Sequence, residues 1–427
     1  MSEDEAKAVF LLEPCFFGEK YVESAAALEL VVIVIRREHG PEVRNKELVN
    51  YELICDITDA QTTYQKIDEF FQTHPYISRN SGILPGHDYA VPVAAEIATK
   101  FGWNTNSVQT ADCARSKVGM RRQLSNSRYI SNPGYRLFEN LTALMDELDQ
   151  IKYPAIVKPV NMTSSMFVKF VQNPEELVSH AQKIVTNEDN FGYPSGSSFL
   201  VEEYIQGQEY SFEAFMSDGK CKLAQITEKI KTPLPYFVEL QHTLPAPIEP
   251  AKYEDILNRL IHLMGELGIS EGPCHLEFVL SSGRIYVIEY STRLPGGRIT
   301  DLYRLAYGVD LHKAAILNAL GEESQRYLNP IYNNISRIRH FHRESGRIKQ
   351  IIGMEEAKKL PEVIEIVVEK HENEFIPAEM ISNMDRYGFF LLKASTYEAV
   401  ERVSSQLEGI IEFVMENEEA AHEQQKC

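Results

Sequence analysis

The sequence predicts an α/β chain that becomes α+β in its C-terminal half. Three observations carry this. Strand-like and helix-like segments alternate over the first 110 or so residues. A short strand–strand–helix–strand series follows between about 120 and 200. From about residue 200 hairpin signals replace the alternation. Alternation gives a parallel sheet covered by helices, whereas tight hairpins give antiparallel pairing.

At 427 residues the chain is too long for one core. Three units are expected: residues 1–115, 116–203 and 204–427. In the first, "KAVFLLEP", "LELVVIVI" and "YELICDI" read as strands. "YAVPVAAEIATKFG" reads as a helix, with Pro92 in the first turn and Gly102 as the stop. In the second, "AIVKPV" and "MFVKFV" are strands joined by "NMTSS". "NPEELVSHAQKI" is a helix capped by Asn173, with Pro174 first and Leu177, Ala181 and Ile184 on one face. "FLVEEYI" is the closing strand.

In the third unit, "EYSFEAFM" and "CKLAQITEK" flank Asp218-Gly219, a strong hairpin signal. "YEDILNRLIHLMGELG" is an amphipathic helix ending at Gly268. "CHLEFVL" and "IYVIEYS" flank Ser282-Gly283. In "STYEAVERVSSQL", Ser395 and Glu398 have capping-box spacing. The tail "ENEEAAHEQQKC" is polar and expected to be disordered.

The net charge of −19 argues against a nucleic-acid or anionic-membrane partner, since both need a basic face. It leaves room for a small anion, which needs only local cations. No apolar run approaches membrane-spanning length, and "MSEDEAKAVF" is too acidic for a signal peptide. The six cysteines, Cys15, Cys55, Cys113, Cys221, Cys274 and Cys427, form no C-x-x-C pair. Reduced thiols in a cytoplasmic protein are expected. A homodimer is left open.

"CHLEFVLSSGRIYVIEYS" carries the most chemistry. A three-residue loop of Ser282, Gly283 and Arg284 would pair Ser281 with Ile285 and set Glu277 opposite Glu289. Two adjacent carboxylates repel unless a cation joins them. Oxygen ligands, and few of them, suit Mg²⁺. A solvated pair on an exposed sheet face is the plain alternative, but apolar residues flank both positions. Arg293 follows with "LPGG", a fork and a turn suited to an anion. Lys158 lies within an apolar strand, and Lys117 starts a helix. Two separated lysines and a carboxylate pair suit a Mg–nucleotide. In "VEEYIQGQE", backbone groups of Glu203 and Ile205 would read an adenine edge, and Glu209 would take ribose hydroxyls.

In this order the residues resemble the ATP-grasp superfamily. The series is Lys117, "IVKP", "LVEEYIQGQE", "HLEF", "VIEYSTRLPGG" and "YGVDL", over roughly residues 110 to 320. The resemblance implies an ATP-grasp architecture of N-terminal parallel-sheet domain, small α/β lid and antiparallel-sheet catalytic domain. It implies ATP held with two Mg²⁺ ions, Mn²⁺ being a substitute. Lys117, Lys158, Ser164, Ser165, Glu202, Glu203, Tyr204, Ile205 and Glu209 would surround the nucleotide. Glu277, Glu289 and Ser291 would hold metal, Ser291 standing where the family usually has Asn. Arg293 would stabilise the transferring phosphoryl group. The loop "NMTSSMF" lacks the family's usual glycines, so a stiffer lid is expected.

"ITEKIKTPLPYFVELQHTLPAP" is similar to amino-acid ligases that make dipeptides, including dipeptide antibiotics. That likeness gives Glu239 and His242 substrate and proton-transfer roles, against the plain reading of a surface strand end. Gly296, Gly297 and Arg298 join Arg293 as substrate contacts, with Tyr236 and Phe237 as further lining residues. The implied reaction is ATP-dependent amide formation between small amino-acid substrates through an acyl phosphate. The alternatives are a biotin-carboxylase-like or other carboxylate–amine ligase, and a non-catalytic ATP-binding regulatory module.

Overall fold

A computed structural model describes residues 5–187, 193, 196–343 and 345–416. Apart from Glu416, the tail expected to be disordered lies outside these residues. The first sheet is parallel. Its strands β1 (Ala8–Leu12), β2 (Val31–Arg36), β3 (Tyr51–Ile54) and β4 (Gly82–Pro85) lie in the order β3-β2-β1-β4. β1 is buried along its whole length, which is why it reads as an unbroken apolar run. Phe10 and Ile33 pack on Phe70, Phe71 and Ile97 on one face. Leu11 and Val34 pack on Tyr21, Tyr303 and Ile316 on the other. Helix Val91–Phe101 has Pro92 in its first turn and ends at Gly102 in the left-handed conformation.

The second sheet is antiparallel. Strands β5 (Tyr135–Phe138), β6 (Ala155–Pro159), β7 (Lys169–Val171) and β8 (Phe199–Glu203) lie in the order β5-β8-β6-β7. Helix Pro174–Val185 covers it, and Asn173 caps that helix by accepting from Glu176 N at 2.9 Å. Leu177, Ala181 and Ile184 are fully buried against the sheet.

The remaining strands are β9 (Gln208–Ser217), β10 (Lys220–Lys231), β11 (Glu239–Leu244), β12 (Gly272–Ser281), β13 (Arg284–Ser291), β14 (Ile335–His340), β15 (Gly346–Ile352), β16 (Val363–Val368), β17 (Phe375–Ile376), β18 (Gly388–Ala394) and β19 (Glu412–Met415). Eight of them form one sheet in the order β13-β12-β9-β10-β11-β14-β18-β16. The other three form a small sheet, β17-β15-β19. Helix Pro250–Glu266 packs Ile256, Leu260 and Leu263 with Phe212 and Ile226 of β9 and β10. Among the described residues no helix is long and apolar enough to cross a membrane.

Both hairpins turn on two residues. Asp218 and Gly219 have φ of 51° and 68°, and Ser282 and Gly283 have 48° and 77°. These are the left-handed pairs that match strand twist. The expected three-residue loop is therefore corrected, because Ser281 pairs with Arg284 and not with Ile285. Such an even loop would place Glu277 opposite Ile288. A bulge between Glu277 and Phe278 shifts the register by one and restores Glu277 opposite Glu289. The capping box is also corrected. Helix Tyr397–Ile410 is capped by Thr396, which accepts from Ala399 N at 3.2 Å, one residue beyond Ser395. This phase turns Val400, Val403 and Leu407 inward, and their burial outweighs a box at Ser395 and Glu398.

Candidate active site

Two cavities meet over one face of the eight-stranded sheet. The larger, about 400 Å³, is walled by Lys117, Lys158, Glu209, Phe237 and the segment 202–205. The smaller, about 180 Å³, is walled by Asp88, Glu239, Arg293, Gly296 and Gly297. Lys229 and Glu277 line both.

Lys158 sits on β6, an interior strand, so it is buried rather than snorkelling from an edge. Its Nζ lies 2.7 Å from Glu202 Oε2. Glu202 also takes the Arg121 fork, at 2.8 and 3.0 Å, and the Arg121 side chain is fully buried. Burial opposes ionisation of Glu202, but Arg121 and Lys158 hold its carboxyl at about 2. Burial brings the Lys158 ammonium down to about 8, even with Glu202 beside it. Glu202→Gln would leave two buried cations without their counter-ion. The expected loss is about 3–5 kcal/mol of stability. It would be read as a lower urea midpoint at unchanged slope.

Lys117 is the first residue of helix Lys117–Gln123, which Ser116 caps by accepting from Gly119 N at 3.1 Å. Its Nζ donates to Met162 O at 2.9 Å and lies 3.2 Å from Glu289 Oε2. At the far end of the larger cavity, Glu203 N donates to Gly134 O at 2.8 Å. An adenine reading through Glu203 therefore falls to its carbonyl. Tyr204 meets Phe170 edge-on, and Ile205 follows it in the cavity wall. Glu209 is buried, ion-paired with Lys231 and 3.5 Å from Lys229. Ser165 lines the larger cavity and Ser164 the smaller. Their glycine-free loop adopts left-handed backbone at Ser164, Ser165 and Phe167, with φ of 58°, 56° and 55°. Each costs on the order of 1 kcal/mol for a residue with a Cβ. Ser164 O accepts from Asn383 N at 3.1 Å, which ties the loop to the C-terminal unit.

Glu277 and Glu289 face each other across β12 and β13. Each already holds a cation: Lys229 Nζ is 2.6 Å from Glu277, and Lys117 is on Glu289. His275 spans two carboxylates, with Nδ1 3.0 Å from Glu213 and Nε2 3.2 Å from Glu277. Burial opposes ionisation of Glu277, but Lys229 and His275 bring its carboxyl to about 2. Ser291 shares a small cavity of about 20 Å³ with Glu289, Lys117 and Asp88. Among the described residues no group of three or more His, Cys, Asp or Glu is placed to hold a metal ion. The donors therefore do not make a closed protein cage. They fit Mg²⁺, which needs one or two carboxylates and fills its shell with water and phosphate oxygens.

Arg293 is buried beside Asp88. Its Nε donates to Asp88 Oδ1 at 2.8 Å, its Nη1 donates to Leu294 O at 2.8 Å, and it lies over the Phe17 ring. Burial opposes ionisation of Asp88, and Arg293 brings that carboxyl to about 2. Gly297 has a φ of 58°, and a Cβ there would stand 3.0 Å from His242 Nε2. His242 is fully buried, 3.4 Å from Glu239 Oε2, and Lys229 Nζ is 2.5 Å from Glu239 Oε1. In "YFVELQH", Phe237 and Glu239 line the cavities, while His242 lines neither and is buried behind Glu239, so the segment is not a surface strand end.

Arg298 corrects an expectation, because it lines neither cavity. Its guanidinium is drawn to Asp301 and Glu365, at 2.8 and 2.7 Å, and lies over Phe389. Tyr236 packs in the C-terminal core, while Phe237 does line the larger cavity. Sequence reasoning missed Lys229, Asp88, Arg386 and the Glu13 cluster. Glu13 takes the Arg37 fork at 2.8 and 3.0 Å, with His87 at 3.1 Å and Tyr193 Oη at 2.7 Å. Burial would raise the Glu13 carboxyl, but His87, Arg37 and Tyr193 hold it well below the usual range.

Residues 151–301 match the family model described as ATP-grasp domain. The chain carries an ATP-grasp domain. Residues 339–416 match a second model, L-amino acid ligase C-terminal domain 2. Around the ATP-grasp domain the whole chain follows the crystal structure of an L-amino acid ligase from Bacillus licheniformis, with a TM-score of 0.79. That match covers 97% of this chain and 100% of the other at 22% identity, so it speaks for the fold. The L-arginine-specific L-amino acid ligase of Bacillus subtilis is 19% identical over 376 residues, 87% of this chain and 88% of that one. Dapdiamide A synthase of Enterobacter agglomerans is 22% identical over 232 residues, 53% of each chain.

Proposed function

We propose that the chain is an ADP-forming ligase joining the carboxylate of one amino acid, or amino-acid derivative, to the amine of another. One observation carries the reading. A nucleotide-sized cavity and an amino-acid-sized cavity share a wall made of Lys229 and Glu277. A phosphoryl group crossing that wall leaves ATP on one side and meets a carboxylate on the other.

ATP and Mg²⁺ serve ATP-grasp enzymes in general; two Mg²⁺ ions, replaceable by Mn²⁺, are the finer reading. Lys117, Lys158, Ser164 and Ser165 hold phosphates. Glu202, Glu203, Tyr204 and Ile205 wall the adenine, and Glu209 takes the ribose hydroxyls. Glu277 and Glu289 would hold Mg²⁺, with Ser291 a weaker third oxygen. When bound, the ion neutralises phosphate charge. A carboxylate oxygen of the first substrate attacks the γ-phosphorus, and the bond to ADP breaks. Arg293 and the amides of Gly296 and Gly297 balance the charge that grows there. The second amine then attacks the acyl carbon, and phosphate leaves. Glu239 accepts the incoming ammonium, and its proton passes through Glu239 to His242 behind it. The units 1–115, 116–203 and 204–427 divide this work, the second closing over the third to exclude water.

The test incubates the protein with Mg-ATP and all pairs of proteinogenic amino acids. ADP, AMP and phosphate are followed, with mass spectrometry for amide products. ADP and phosphate that appear only with particular pairs, with the dipeptide mass, support the ligase. AMP and pyrophosphate would sink the acyl-phosphate route.

A pH dependence follows from Lys158, whose ammonium titrates at about 8 in the unliganded protein. Phosphates favour its charged form, so binding takes up a proton above that pH. Mg-ATP affinity is expected to be flat below pH 8 and to weaken by up to about tenfold per pH unit above it. Lys158→Gln should bind more weakly at pH 7 and lose this slope, as calorimetry from pH 7 to 9 would read.

A further inference from the structure

We propose that Arg386 docks the α-carboxylate of the amine-bearing substrate, which must then be a free amino acid and not an amide, an ester or a simple amine. The inference rests on the ligase reading for what enters the smaller cavity. It deepens that reading by adding a residue from the C-terminal unit.

Arg386 lines the smaller cavity beside Glu239, Asn383 and Met384. Its Nε donates to Asn383 O at 2.9 Å, which fixes the plane of the guanidinium. Its Nη1 is shielded from solvent and reaches no hydrogen-bond acceptor among the described residues. Glu239 Oε2 stands 3.9 Å away, too far for a hydrogen bond. Glu239 is also shared, since Lys229 holds its other oxygen at 2.5 Å. Behind it lie the imidazoles of His242 and His340, both buried and neither making an aligned hydrogen bond. Burial lowers the pKa of Arg386, as it does that of His340.

Donors therefore outnumber acceptors at this end of the cavity. A shielded N–H without an acceptor is costly, and more so when charged. The side chain is 19% exposed, so an incoming anion can meet the cavity-facing edge of the guanidinium and compensate its buried charge, and a planar fork suits a carboxylate best. An α-amino acid carries its ammonium and carboxylate on one carbon. Glu239 and Arg386 offer the complementary acid and base side by side on the cavity wall.

The test is calorimetry on the full chain with Mg²⁺ and a non-hydrolysable ATP analogue. Each proteinogenic amino acid is titrated as the free acid and as its α-amide. At least one free acid is expected to bind tenfold or more tightly than its amide. Arg386→Met should reduce that acid to the level of its amide and leave the amide unchanged, and Arg386→Lys should restore part of the preference. With a pair that turns over, Arg386→Met should raise KM for the amine partner tenfold or more. KM for ATP and for the acid partner should stay within twofold. Failure of any free acid to bind the wild-type protein would overturn the proposal. So would an acid-over-amide preference that survives Arg386→Met in every case. Binding through Arg386 with no pair joined would keep the docking site and reject the ligase reading.

Discussion

Arg293→Met is expected to lower amide formation by about 10²–10³-fold, as removal of a transition-state donor does elsewhere. Mg-ATP binding should be largely unchanged, because Arg293 lines the smaller cavity and not the larger. The variant also strips Asp88 of its partner. That carboxyl, held at about 2 chiefly by Arg293 against burial, would rise in pKa with only Arg115 and His87 still opposing burial, and its ionised fraction would repel the incoming substrate carboxylate. Two effects would then be mixed, charge lost from the transition state and repulsion gained in the ground state. Asp88→Asn in the Arg293→Met background separates them, because it removes the repulsion alone. Activity should recover only in small part. Arg293→Lys keeps the charge but loses the fork, and should fall between wild type and Arg293→Met. A single-turnover rate for Arg293→Met within a few-fold of wild type would reject the role assigned to Arg293.

The parts of this fold that sequence makes legible are those fixed locally. Asn173, Pro174 and the Leu177–Ala181–Ile184 stripe define their helix without outside help, and the structure keeps each of them. The motif order from Lys117 to Gly297 could be read because, as a series, it resembles that of the ATP-grasp superfamily, each motif being a short run of neighbouring residues. What escaped was set by register. The Ser282-Gly283 turn is even, and only the bulge between Glu277 and Phe278 brings Glu277 opposite Glu289. A similar shift between Cys221 and Leu223 leaves Glu228 paired with Tyr210, which sets Lys229 beside Glu209. Without it, the Asp218-Gly219 turn would have set Lys229 opposite Gln208. In "AQITEKI", Lys229 is a charge alternating with apolar residues. That pattern sets Lys229 on the face of Gln225 and Thr227 and so reads as a solvated face, and only the tertiary structure buries it. Asp88 and Arg386 carried no local signal. Asp88 reaches Arg293 from 205 positions away, and Arg386 reaches Glu239 from the C-terminal unit.

Lys229→Met is expected to destabilise the protein by about 3–5 kcal/mol near neutral pH, the cost of leaving buried carboxylates without their counter-ion. The lysine is almost completely buried. It holds Glu239 at 2.5 Å, Glu277 at 2.6 Å and Glu209 at 3.5 Å. Burial opposes its ionisation, yet Glu239, Glu277 and Glu209 raise its pKa well above the ordinary lysine value. It therefore stays charged at any pH at which the protein would be assayed. The sign of the pH effect follows from its partners. In the wild type, Glu277 is held at about 2, and Glu239 is also lowered. Their contribution is present above the unfolded carboxylate pKa and lost as pH falls through the folded one. In Lys229→Met, burial and mutual repulsion remain while the largest attraction has gone. The folded carboxyl pKa values should then rise above the unfolded value, and the folded state should bind the extra protons. Stability of the variant should fall as pH rises from 5 to 8, while the wild type loses nothing over that span from these groups. The deficit should thus be largest at pH 8 and shrink toward pH 5, as urea titrations at the two pH values would read. Adding Glu277→Gln should return about 0.5–3 kcal/mol at pH 8, the usual range for coupled neighbours. A deficit of equal size at both pH values would mean that Lys229 acts by packing alone, and the charge cluster would lose its place at the junction of the two cavities.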